Sequence, residues 1–160
     1  MTTLDQDRAT PTDGARPGGV AGCRIVEIRS HRDGRGGLAF IEGDVAGGAA
    51  VADVPFPIRR VYYAWGMEEG AVRGEHAHRA LEQVYLAVSG SFDVLLDDGT
   101  ETRRVRLDRP DQGLYLGHMV WRRLENFSAG SVCLVLASAA FDEADYFRDK
   151  DAFLRAAAAQ

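Results

Sequence analysis

At 160 residues the chain is long enough for one domain with a sizeable core and too short for two of ordinary size. A net charge of −5 and a pI near 5.3 argue against a nucleic-acid binder, while leaving room for a local cationic pocket that takes a phosphorylated small molecule. Cys23 and Cys133 make no disulfide framework, no apolar run approaches the roughly 18 residues of a membrane span, and the N-terminus has no apolar signal core, so the chain reads as a cytoplasmic protein with no membrane partner.

In chain order, residues 1–21, rich in Thr, Asp, Pro and Gly, read as a flexible N-terminal tail, and residues 22–157 as a single domain. "CRIVEI" alternates as a strand, "RSHRDGRGG" reads as a turn and "LAFIEG" as a returning strand. "GDVAGGAAVADVPFP" is a loop, "IRRVYYAWGM" a strand and "EEGAVRGE" another loop. "LEQVYLAVSGSFDVLLDDGTETRRVRLD" divides into three strands at Ser89–Gly90 and Asp98–Gly99, the Asp-Gly pair being a strong hairpin signal. "QGLYLG", "VWRRLENF" and "SVCLVLAS" continue the series. "DEADYFRDKDAFLRAAAAQ" changes to a helical period and predicts one or two short helices. Many short strands with Gly and Asp turns predict an all-β architecture, an antiparallel β-barrel or jelly roll closed by a short C-terminal helix.

The chemistry concentrates in "RGEHAHRALEQVYLAVSG", residues 73–90. On a strand, His76 and His78 point to one face, which in a barrel is either solvent or the ligand cavity. Gly70, His76, His78, Glu82 and Gly90 approximate the first cupin motif, G-x5-H-x-H-x3-E, whose His and Glu residues hold a divalent metal in many cupins. The second motif is degraded: its proline, glycine and histidine positions are occupied by Met119, Trp121 and Leu124, and His118 falls out of register. The other chemistry open to two imidazoles is acid–base work at neutral pH on a carbonyl substrate, with cations or hydroxyls stabilising an enediolate. Arg59, Arg60, Arg73, Arg122 and Arg123, with Tyr62, Tyr63 and Tyr115, flank the pair and supply such groups.

"PFPIRRVYYAW", "VRGEHAHRALEQVYLAVSGSFDVLLDDG", "GLYLGHMVWRRLENFS" and "VLASAAFDEADYFRDKDAFL" together resemble the dTDP-4-oxo-6-deoxyglucose 3,4-ketoisomerases, over about residues 24–155. The resemblance implies a cupin jelly roll working as a homodimer, with no metal and no cofactor. It implies conversion of a dTDP-linked 4-keto-6-deoxyhexose into its 3-keto isomer in deoxysugar biosynthesis. Carried onto this chain, His76 and His78 are the catalytic pair, His76 as the carbon base, with Tyr63 as a third catalytic residue beside the sugar. Arg73, Arg35 and Arg122 match the family's substrate contacts, and Arg60 and Tyr115 from the flanking segments complete the substrate-binding set. Arg73 reaches the site only if Gly74 breaks the strand alternation, because a regular strand would put it opposite the histidines. A nucleotide-sugar epimerase, a metal-dependent cupin enzyme and a non-catalytic sugar-nucleotide binding module are the competing readings.

Overall fold

The computed structural model describes residues 20, 22–42 and 54–160. The predicted tail over residues 1–21 lies outside them except for Val20, which is buried in the core, and most of the predicted loop over residues 43–57, namely 43–53, lies outside them too.

Among the described residues, two five-stranded antiparallel sheets face each other. The first runs β1 (Cys23–Glu27), β9 (Gln112–Leu116), β6 (Gln83–Ser89), β11 (Val132–Ala137) and β4 (Arg60–Trp65). The second runs β12 (Tyr146–Phe147), β5 (Arg73–His78), β10 (Trp121–Glu125), β7 (Phe92–Asp97) and β8 (Thr102–Leu107). A separate hairpin joins β2 (Ser30–Asp33) to β3 (Gly36–Ala39), so part of the segment expected to be a turn is itself a strand. The all-β antiparallel jelly roll expected from the strand spacing is the architecture observed.

Period-two patterning explains the layers. Phe92, Val94 and Leu96 of β7 and Leu114 and Leu116 of β9 point between the sheets, with Cys133 and Val135 of β11, into one apolar cluster. The outer face of the first sheet is covered by Val54 and Phe56 against Val84, Leu86 and Tyr115. The outer face of the second is covered by α1 (Lys150–Ala157), whose Phe153 packs on Trp121, Ala77 and Phe147. Asp149 caps this helix by accepting from the Ala152 amide at 2.7 Å. Where the sequence allowed two helices, a single 3-10 turn (Glu143–Asp145) leads instead into β12, because Tyr146 and Phe147 complete the ladder beside His78 and Ala77.

One irregularity positions the site. β5 pairs His76 with Arg122 but Gly74 with Arg123 and Arg73 with Leu124, so Glu75 is an extra residue, a β-bulge. Gly74 has φ +83° and Glu75 φ +56°; a Cβ on Gly74 would lie 3.0 Å from the Arg122 carbonyl oxygen, which is why glycine stands there. The bulge breaks the alternation and puts Arg73 on the face shared by Leu124, Arg122 and His76.

Candidate active site

His76 and His78 project from β5 into the space between the sheets, their rings 4.9 Å apart and nearly perpendicular. Arg122, directly across the ladder from His76, enters the same space and is 0% exposed. None of its three guanidinium nitrogens has a hydrogen-bond partner among the described residues, and the same holds for Nε2 of His76 and of His78. Buried polar groups are normally paired, so this concentration of unpartnered donors and lone pairs marks an internal site suited to a polar guest.

The ring tautomers follow from the other nitrogens. His78 Nδ1 lies 3.0 Å from Asp145 Oδ2, and His76 hydrogen-bonds the Gly74 carbonyl. A ring N–H donates in each case, leaving a buried, unpartnered Nε2 lone pair on each ring. Burial, followed by the nearby Arg122 cation, pushes His76 down to about 4. The same two causes, with His76 itself contributing, push His78 down to about 2. Both imidazoles are therefore neutral, unprotonated bases at pH 7.

Both histidines have folded pKa values below the ordinary 6.5, so the unfolded chain binds protons that the folded one refuses. Their contribution is intact above pH 6.5 and is lost as pH falls, down to about 4 for His76 and on towards about 2 for His78. Urea titrations of the free protein should show its stability dropping through that window, and the drop should flatten in His76→Asn.

The rest of the lining comes from both sheets. Tyr146 sets its ring 4.3 Å from His78 and 5.0 Å from His76. Buried Gln83 donates to the Tyr62 hydroxyl at 2.7 Å and accepts from Tyr85 at 3.2 Å. Arg60 stacks over the Tyr62 ring at 4.5 Å, and its charge acts on His78.

The sequence-predicted set divides accordingly. His76, His78 and Arg122 meet between the sheets, Arg60 stands near them, and Arg73 shares their face through the bulge while staying exposed. Tyr63 does not join them: Tyr62 lies opposite core residue Val135, so its neighbour Tyr63 turns outward against Trp65, ring centroids 5.4 Å apart. Tyr115 lies on the outer face of the first sheet, because Leu114 and Leu116 take the inner one; its hydroxyl donates to Glu82 in a short hydrogen bond. Arg35 sits in the β2–β3 turn, ion-paired with Asp33, on a hairpin that pairs with neither main sheet. Asp145 and Tyr146 are site residues that the sequence reading did not single out.

The donors do not fit the metal centre of the cupin motif. Glu82, its carboxylate position, is bound by Tyr115 away from the cavity, and His78 Nδ1 is taken by Asp145. Among the described residues no three His, Cys, Asp or Glu side chains converge as ligands.

Comparison with known proteins agrees with this geometry. A curated protein of Aneurinibacillus thermoaerophilus named TDP-4-oxo-6-deoxy-alpha-D-glucose-3,4-oxoisomerase is 40% identical over 130 residues, 81% of this chain and 88% of its own. The crystal structure of a variant of the 3,4-ketoisomerase QdtA from Thermoanaerobacterium thermosaccharolyticum, in complex with TDP-4-keto-6-deoxyglucose, superposes with a TM-score of 0.80 at 34% identity, covering 88% of this chain and 96% of that one. The WlaRB TDP-quinovose 3,4-ketoisomerase of Campylobacter jejuni is 44% identical, with a TM-score of 0.76 over 85% of this chain and 99% of its own. With the model of the family described as "FdtA: WxcM-like, C-terminal" matching residues 21–158, the chain belongs to that family of cupin-type sugar ketoisomerases.

Proposed function

We propose that the protein is a 3,4-ketoisomerase acting on a dTDP-linked 4-keto-6-deoxyhexose. The observation that carries this reading is the trio between the sheets: two neutral imidazoles with free Nε2 lone pairs beside a buried guanidinium that no described residue pairs. The isomerisation moves two protons, C3–H to C4 and O3–H to O4, and no net charge. His76 Nε2 takes the C3 proton and later returns one to C4. His78 Nε2 accepts the O3 proton and delivers it to O4. Arg122 balances the enediolate that forms between these steps, at a position where charge develops only during reaction. Both histidines end neutral, so the site is reset without any outside redox partner. Arg60 and the bulge-directed Arg73 serve the anionic end of the substrate.

Proton NMR of the purified protein with dTDP-4-keto-6-deoxyglucose in deuterated water tests the reading. A 3-keto product carrying solvent deuterium at C4 is expected, and the C4 couplings of a run in ordinary water give its configuration. An unchanged sugar after hours with folded protein would reject it.

We further propose that the working form is a homodimer joined through the outer face of the first sheet. β4 is the terminal strand of that sheet, and Val61, Tyr63 and Trp65 stand on its outer face 55%, 60% and 66% exposed. By register Tyr63 lies beside Leu134 and Trp65 beside Val132, so the apolar stripe continues onto β11. Among the described residues that edge is unpaired, and such an edge next to an apolar stripe is what a two-fold partner with the same edge and stripe covers. Trp65→Glu should shift light-scattering mass from dimer to monomer; a dimeric Trp65→Glu protein would rule out this face.

A further inference from the structure

The two histidines are held in unlike ways. His76 is tied to a neutral group, the Gly74 carbonyl. His78, wholly buried, is tied to a carboxylate that the fold has immobilised. Asp145 Oδ1 accepts from the Ala80 amide at 2.8 Å, and Oδ2, which faces His78, accepts from the Leu81 amide at 3.3 Å. The Asp145 carbonyl accepts from the Arg79 amide at 2.9 Å. Three successive amides after β5 thus grip one residue of the 3-10 turn. The next residue, Tyr146, pairs with His78 in β12 and lays its ring against both imidazoles.

From this asymmetry we infer that Asp145 is a positioning residue that fixes His78 as the Nδ1–H tautomer and balances its charge while it carries a proton between the two substrate oxygens. The inference rests on the ketoisomerase reading above. A carboxylate on one ring nitrogen does two things: it holds the proton there, so that the other nitrogen is always the acceptor, and it stabilises the imidazolium once that acceptor is filled. Arg122 opposes a second positive charge on either ring, and His78 is the ring that has a carboxylate against it to offset this. In the step itself, Nε2 of His78 gains the O3 proton as the O3–H bond breaks, then loses it as the O4–H bond forms. The Nδ1 proton stays on the ring throughout, and Asp145 remains a carboxylate.

Asp145→Asn tests this through two rates that a merely structural residue would lower together. With dTDP-4-keto-6-deoxyglucose in deuterated water, turnover should fall on the order of 10²-fold or more, within the usual range for losing general acid–base assistance. Deuterium wash-in at C3 of the recovered sugar depends on His76 and should continue, so the ratio of exchange to turnover should rise at least about tenfold. Parallel loss of both rates, or turnover within about threefold of the parent protein, would overturn the inference. Should the variant not fold, the unaltered protein decides: long-range proton–nitrogen NMR correlations should report His78 as Nδ1–H, and an Nε2–H signal would refute the assignment. Failure of the ketoisomerase reading looks different, since the unaltered protein would then leave the sugar unchanged whatever tautomer His78 shows.

Discussion

Replacing His76 by Asn should abolish isomerisation and C3 exchange together, by on the order of 10³-fold or more, with the fold kept. Asparagine fits the space but offers no basic lone pair, so the C3 proton has no acceptor. Little stability is at stake, because His76 Nε2 has no protein partner and the ring's tie to the fold is its hydrogen bond to the Gly74 carbonyl. Losing that bond costs about 1 kcal/mol, a melting shift of a few degrees in a chain of this size. His78→Asn should behave differently, losing turnover while C3 exchange persists, because His76 can still open and close the C3–H bond. Measuring both rates on both variants separates the carbon base from the oxygen shuttle. If His76→Asn still washes deuterium into C3 at the parent rate, the roles are reversed or the base lies elsewhere. The parent enzyme's kcat/KM should hold down to about pH 4 on the acid side, where His76 protonates in the free protein, not to the ordinary 6.5.

Much of this site was legible because strand periodicity is strict. His76 and His78 are two residues apart, so any strand through them gives a shared face. The strand breaks at Gly90 and Gly99 were legible for the same reason, since turn residues interrupt clear apolar alternation. Parity was harder where neighbours have the same chemistry. Tyr62 and Tyr63 are both aromatic and both flanked by small or β-branched residues; only the register with Val135 decides that Tyr62 faces in. Tyr115 had the same ambiguity, because both faces of β9 are covered and no polar contrast marks the inner one. Arg73 depended on a bulge, and a glutamate at φ +56° gives no sequence signal, although Gly74 beside it does. Asp145 was out of reach for a different reason. It lies 67 positions from His78, in a 3-10 turn before a two-residue strand too short to show a period.

The strongest test of the electrostatic argument is Arg122→Met, for which activity and stability should move in opposite directions. A guanidinium that is 0% exposed and unpaired by any described residue carries its full desolvation penalty in the free protein. Methionine fills much of the same volume with no charge to bury. Replacing such a buried ion by an apolar residue of similar size stabilises by roughly 1–4 kcal/mol in comparable cases, so the free variant should melt higher than the parent. Its turnover should fall by on the order of 10²–10³-fold, the usual effect of removing one group aimed at a developing oxyanion. The histidines supply a third readout. Arg122 is, after burial, the largest influence holding both below their ordinary range, so its removal should raise His76 above about 4 and bring the acid limb of kcat/KM up with it. A variant that melts lower and turns over normally would make Arg122 a structural residue and leave the enediolate without its counter-charge. A variant that melts higher and is nearly inactive would show that the fold tolerates an uncompensated cation in its interior because the reaction supplies the anion.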